Sequence, residues 1–375
     1  MSLERIHYDY LVVGAGLFGC TIARLLSDAG KKVLVVEKRH VPGGNVATHI
    51  DDGIILHDYG PHIFHTSFED VWSFVNKYAD FYSFVNSPLA NYEGELYHLP
   101  FNMNTFHELW GVTTAEEAKA KIAEEVGKED IGEPKNLEEQ AIKLVGRTVY
   151  EKLVKGYTEK QWGRPCSELP SFIIKRLPLR FEYDNNYYSD KYQGLPKGGF
   201  SVLIANLLNG IDIRLDTDFF EKKNELLKMS ENVIYSGPID AYFDYCFGHL
   251  EYRSLKFETI KKDIDHFQPC AVMNFTSNKV PYTRINEHKN FDPYCENHHS
   301  TFLTYEYPAM YNGFNEAYYP VNNDANGQIY EKYLKKVIEL ESSVYFGGRL
   351  ATYKYFDMDD TIKAAFDLSN MLLAK

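Results

Sequence analysis

The sequence predicts a mixed α/β chain: a parallel strand–helix–strand unit, interrupted by a helical insertion and by an antiparallel sheet. Three observations predict it. The first fifty residues run strand, glycine turn, helix, strand. Residues 101–155 repeat apolar positions at helical spacing between capping signals. Residues 257–319 hold short β-rich runs without that spacing.

Tyr10–Val13 reads as an apolar strand. Gly14, Gly16 and Gly19 then spell G-x-G-x-x-G. A helical pattern follows through Leu26 and stops at Gly30, and Val33–Val36 is a second strand ending at Glu37. This context makes the motif a Rossmann-like dinucleotide site. Gly14 permits the tight turn. Gly16 lets the backbone approach a pyrophosphate on the helix N-terminus. Gly19 allows close helix–strand packing, and Glu37 is placed to accept from ribose hydroxyls. Glu37 is followed by five residues and then Gly43-Gly44-Asn45. This E-x5-G-G continuation resembles the FAD signature of the glutathione-reductase and amine-oxidase flavoproteins. No second glycine motif of this spacing follows, so no separate nicotinamide domain is expected.

Residues 51–66, DDGIILHDYGPHIFHT, read as short strands and turns. His62 and His65 there read either as structural histidines or as neighbours of the cofactor. No further Cys or His lies at ligand spacing, so no metal is expected. Thr114 to Glu117 matches a capping box, with a weaker relative from Asn136 to Glu139. Leu137, Ala141, Leu144, Val145 and Val149 then share one helical face. Residues 170–188, PSFIIKRLPLRFEYDNNYY, carry Pro170 and Pro178 and no sustained period. They read equally as an exposed connector or as a mobile lid bringing an arginine over a phosphate.

VLIANLL reads as a helix, and IDIRL and NVIYSGPID as strands returning to the first unit. AVMNF, TRIN and TFLTYEYP are expected to form the antiparallel sheet. A last helix begins near Met358, its N-terminus toward the cofactor. The expected division is 1–80, 190–245 and 320–375 as a discontinuous cofactor domain. Residues 81–189 form a mainly helical domain with a lid at about 168–188. Residues 246–319 form the antiparallel substrate domain.

Composition excludes several classes of function. The chain has 375 residues, 44% of them apolar, enough for two or three cores. With 40 basic against 53 acidic residues its net charge is −13, unsuited to coating nucleic acid or an anionic membrane. The start, MSLERIHYDYLVV, shows no signal peptide, and no apolar run approaches the ~20 residues of a membrane span. Five cysteines without a CxxC pair suit a reducing cytoplasm. Twenty-nine tyrosines suit a sugar or heterocycle pocket as well as a core. GYTEKQWG at 156–163 fits no amphipathic stripe. It reads as one wall of a ligand cleft, or as a buried helix with trapped aromatics.

Taken in order, VVGAGLFG, the Glu37-to-Gly44 turn, YGPHIFHT, GYTEKQWG, IIKRLPLRF, DNNYYSDKYQGLPKGGF, EYRSL, EAYYPVN and GGRLATYKYFDMD resemble the bacterial UDP-galactopyranose mutases over essentially the whole chain. The resemblance implies interconversion of UDP-galactopyranose and UDP-galactofuranose for cell-surface glycans, without net redox change. It implies FAD, active when reduced, whose N5 attacks the anomeric carbon and displaces UDP. An external reductant and a homodimer are implied with it.

The resemblance also assigns residues. Arg176, as the lid arginine, and Arg284 would stabilise the diphosphate. Tyr187, Tyr318 and Tyr355 would hydrogen-bond it, and Tyr157 would stack on uracil. Thr158, Trp162 and Asn274 would line the sugar wall. Gly14, Gly16, Gly19, Glu37, Lys38, Gly44 and Asn45 would hold the dinucleotide. His62, His65, Arg253, Arg349, Tyr355, Asp357 and Met358 would surround the flavin, with His65 also a candidate in catalysis. One departure stands out. Relatives often carry aromatics just before GYTEKQW, where this chain has Leu153-Val154-Lys155. The uridine side of the pocket is therefore expected to differ, with substrate breadth open, for instance toward an N-acetylated galactose.

Overall fold

The computed structural model describes residues 7–174, 178–295, 299–340 and 343–374. A five-stranded parallel sheet forms its base, in the order 212–214, 33–36, 8–13, 230–235, 344–346. Val33–Val36 and residues 10–13 of the neighbouring central strand are continuous apolar runs because both faces of the sheet are covered. Tyr10, Val12, Val33 and Val35 point into a core shared with the helices Leu17–Asp28, Phe200–Leu207 and Met358–Leu373. Leu11, Val13, Leu34 and Val36 point into a second core on the opposite face. Strand alternation alone sorts them.

The helical insertion follows its capping signals. Thr114 Oγ1 accepts from the Glu117 backbone N–H at 3.2 Å, and Glu117 reaches back to the Thr114 N–H at 3.1 Å. Asn136 Oδ1 accepts from the Glu139 N–H at 2.9 Å. The two helices these residues start, Ala115–Gly127 and Leu137–Val149, pack with Met103–Trp110 around a core of their own. This stretch of chain is not purely helical. Leu89–Tyr92 and Glu95–His98 form a hairpin on the edge of the large sheet.

That sheet has seven strands, in the order 319–320, 252–262, 301–310, 284–287, 272–275, 89–92, 95–98. All neighbours run antiparallel except 272–275 beside 89–92, which is parallel. The expectation of a wholly antiparallel sheet is corrected at that one seam. It is where the insertion docks its hairpin, and a connection through a separate element sets no antiparallel direction.

Behind the sheet, His57 and His288 stack with ring centroids 5.9 Å apart. Both are buried. The His57 backbone N–H donates to His288 Nδ1 at 3.2 Å, and His288 Nε2 bonds Thr304 Oγ1 at 2.6 Å. A second ring proton on Nδ1 would face a donor, so His288 is held in one neutral tautomer. Burial, then His49, pushes His288 down to about 3, and burial, then His288, holds His57 well below the ordinary range. Their unfolded forms protonate near pH 6.5. The stability these rings contribute is therefore full above that pH and is lost as pH falls from 6.5 toward 3. The melting temperature is expected to drop steadily from pH 7 to 4. His288→Gln should flatten that slope by up to about 1.4 kcal/mol per pH unit. Identical slopes for variant and parent, from thermal melts across the range, would refute the assignment.

Candidate active site

The first cavity, about 460 Å³, lies at the carboxyl end of the parallel sheet and is lined by Gly14, Gly16, Glu37, Gly44, Asn45 and His62. Each glycine is there for a separate reason. At Gly19 a Cβ would stand 1.9 Å from the Gly14 carbonyl oxygen, so only glycine lets the first helix pack this tightly. Gly14 has φ +101°, a conformation glycine favours. At Gly16 a Cβ would meet nothing nearer than the Gly44 Cα at 4.0 Å, so its missing side chain leaves room in the cavity itself. Glu37 Oε2 accepts from the Ala15 N–H at 2.8 Å and Oε1 from the Arg39 N–H at 2.9 Å. The carboxylate thus ties the glycine loop to the end of the second strand. Lys38, Arg349 and Met358 also line this cavity, and Asp357 stands at the N-cap of the last helix. Two helix N-termini over a glycine cradle fit the pyrophosphate of a dinucleotide.

The second cavity lies under the helix Gly156–Trp162 and against the large sheet. Sheet register builds its floor. Asn274 is opposite Arg284, and Arg284 is opposite Glu306, so the three stand in one row across three strands. Arg284 Nε donates to Asn274 Oδ1 at 3.0 Å, and a guanidinium nitrogen lies 3.8 Å from the buried Glu306. Tyr157 covers the row, its ring 6.0 Å from the Arg284 guanidinium carbon. Tyr157 first, then Glu306, hold that guanidinium firmly charged against burial.

Lys160 fixes the helix above this floor. Its Nζ donates to the carbonyls of Phe275, Ser277 and Tyr282 at 2.7, 2.9 and 2.8 Å. These lie between Asn274 and Arg284 in sequence, so Lys160 joins the Tyr157 helix to the loop that carries the floor. Gly156 sits so close that a Cβ would come 2.3 Å from the Thr276 carbonyl oxygen. The GYTEKQWG pattern therefore has three targets: cavity for Tyr157, sheet for Gly156 and Lys160, and helical core for one edge of Trp162. No single stripe serves all three.

Arg253 stands between Trp162 and Tyr319, its guanidinium carbon 4.9 and 5.6 Å from the two rings. Its Nε is buried without a hydrogen-bond partner, and no ion pair reaches it among the described residues. Burial lowers its pKa. The rest of this partly exposed guanidinium is free to meet an anion. The two cavities share a wall: His62 lines the first, while its neighbours Pro61 and Ile63 line the second.

Thr158, Tyr187, Asn274 and Arg284 line the second cavity with Tyr157. Tyr355, which is half-exposed, stacks on Tyr319 at 5.6 Å, with Arg349 over both rings. Two further expected residues stand apart from the second cavity. Tyr318 is buried and lines the first cavity, packing on Phe257, while Tyr319 faces Arg253. Consecutive strand residues point to opposite faces, and the Arg253–Tyr319 register decides which tyrosine meets the arginine. His65 lines neither cavity. It stacks at 3.8 Å on Tyr188, a cavity residue, and its Nδ1 bonds Asp190 at 2.8 Å, so it supports the wall from behind. Arg176 lies outside the described residues.

Sequence reasoning missed several contributors. Arg180 lines the second cavity and donates to the carbonyls of Asn186 and Tyr187, anchoring the connector beside it. Asn86, Gln161 and Tyr188 also line it. Gln161 follows Tyr157 by one helical turn, a spacing that could have flagged it. Nothing local marks Asn86.

A family model described as UDP-galactopyranose mutase matches residues 152–355, and one described as an NAD(P)-binding Rossmann-like domain matches residues 12–78. The chain is similar to a dTDP-fucopyranose mutase of Escherichia coli, 40% identical over 370 residues, covering 97% of this chain and 98% of that protein. It is similar to a probable UDP-galactopyranose mutase of Klebsiella pneumoniae, 42% identical over 371 residues, covering 98% and 95%. A crystal structure of reduced UDP-galactopyranose mutase shares the fold, with a TM-score of 0.72 at 16% identity over 98% of this chain and 96% of that one.

Proposed function

Because this chain belongs to the UDP-galactopyranose mutase family, we propose that it interconverts UDP-galactopyranose and UDP-galactofuranose. The cofactor is FAD, and the glycine cradle, Glu37 and the two helix N-termini fit it. Bound and reduced, FAD supplies the nucleophile for the anomeric carbon. In the isomerisation, the bond from C1 to the UDP oxygen breaks, the six-membered ring opens, and O4 replaces O5 on C1. UDP then returns to C1, so atoms and electrons balance without net redox change.

The chain's own residues hold the departing diphosphate. Arg284 presents a fixed charge, oriented by Asn274 and Glu306. Arg253, between Trp162 and Tyr319 and without an ion pair among the described residues, adds a second guanidinium. Donors set in place before charge develops need no reorganisation when the bond breaks. Tyr157 offers a stacking face for the base, and Trp162 covers the arginine side. Arg284 carries this reading: it holds an oriented guanidinium on the wall of the second cavity, which a diphosphate would pair and an amine or hydrocarbon substrate would not.

The reading extends to an external reductant that primes the flavin, a homodimer, and a cytoplasmic enzyme supplying galactofuranose to surface glycans. Five cysteines without disulfides support a reducing compartment. No described helix is long and apolar enough to cross a membrane. The named substrates of the two full-length relatives differ in base, thymine in one and uracil in the other. They differ in sugar as well, fucose against galactose, so both the base end and the sugar end of the cavity bear on this chain's specificity.

The test is anaerobic incubation with UDP-galactofuranose, with and without dithionite, followed by chromatography of the nucleotide sugars. Conversion to UDP-galactopyranose only with reduced flavin is the expected result. No conversion with the flavin reduced and UDP bound would sink the reading.

A further inference from the structure

The cavity under the Tyr157 helix has two unlike kinds of lining. Arg284, Asn274 and Tyr187 are polar; Leu99, Phe101, Leu153, Val154 and Ile174 are apolar. Leu153 and Val154 are each only 5% exposed and stand on a π-helical turn, Tyr150–Lys155, that runs directly into the Tyr157 helix. Thr158 and Gln161 line the cavity from that same helix, and neither side chain has a hydrogen-bond partner among the described residues.

These groups match the two edges of a pyrimidine. A ring stacked on Tyr157 has a polar edge, which the Thr158 hydroxyl and Gln161 amide can pair. Its other edge, C5 and C6, is apolar and suits Leu153 and Val154, which line the cavity one helical turn before Tyr157 and Thr158. An aliphatic wall cannot strongly reject one added methyl, and it gains by burying it. An aromatic ring at the same place would fill that space.

We propose that this cavity takes 5-methylated pyrimidine diphosphates at least as well as UDP, making thymidine-diphosphate hexoses a second substrate class for the same isomerisation. The inference rests on the mutase reading above. Leu153 and Val154 are its specificity-determining residues, and the bonds broken and formed at the sugar are the same as with UDP.

The experiment titrates the FAD-loaded protein with UDP and with 5-methyl-UDP, which differ by the methyl alone. The methylated nucleotide is expected to bind up to about fourfold tighter. Reduced enzyme should also isomerise dTDP-galactopyranose. Leu153→Phe should reverse the ratio of the two affinities, which a general loss of stability would leave unchanged. If 5-methyl-UDP binds more weakly than UDP by about threefold or more, this inference is overturned and the mutase reading stands. If neither nucleotide binds, both fall together.

Discussion

Arg284→Ala is expected to keep its FAD and to lose about a hundredfold to a thousandfold in kcat/KM for the nucleotide sugar. Three features carry this expectation. Arg284 lies in the second cavity and lines none of the glycine cradle, so flavin absorbance per protein should not change. Its charge is oriented by neighbours on the two flanking strands, Asn274 at 3.0 Å and Glu306 at 3.8 Å. No other described arginine stands in that row of the sheet. Truncation also leaves the buried Glu306 side chain, among the described residues, with only the Asn286 amide, at 2.7 Å, and costs some stability. Arg284→Lys keeps the charge but not the planar fork, and should fall between the two. Steady-state kinetics with reduced enzyme, beside a UDP titration, decide the matter. Turnover near that of the parent would remove Arg284 from the mechanism.

The second large effect separates two glycines of one motif. Gly16→Ala is expected to fold normally and to lose at least about tenfold in FAD affinity. Its backbone, φ −73° and ψ 178°, suits any residue, and the new Cβ finds ordinary contact at 4.0 Å. The methyl stands instead where the pyrophosphate would approach. Gly19→Ala is expected to cost about 3 kcal/mol or more in stability. Its Cβ would lie 1.9 Å from a backbone oxygen that no rotamer change can move. Thermal melts and flavin-to-protein absorbance ratios of the two purified variants check both halves. A Gly16→Ala protein that purifies with a full flavin complement would refute the cradle assignment.

Much of this molecule was legible in one dimension because its signals are local. The glycine motif, the first two strands, the capping box at Thr114, the N-cap at Asn136 and the start of the last helix at Met358 each depend on neighbours a few residues away. Backbone sterics and caps act over that range, so the sequence states them directly.

The site was legible as a set of residues and not as an arrangement. GYTEKQWG announced a segment with no single face, but the partners of Lys160 are carbonyls more than a hundred residues away. Tyr318 and Tyr319 are indistinguishable until strand 319–320 pairs with 252–262 and sets Tyr319 opposite Arg253. His65 stood beside His62 in the sequence reading, yet strand pairing turns it behind Tyr188. Glu306 and Asn86 carried no local mark and entered the site through packing alone. The sequence by itself determined the dinucleotide unit, its family and the identity of the cationic and aromatic groups. Only the tertiary structure decided which of them face one another, because sheet register, a long-range property, flips every side chain with each one-residue shift.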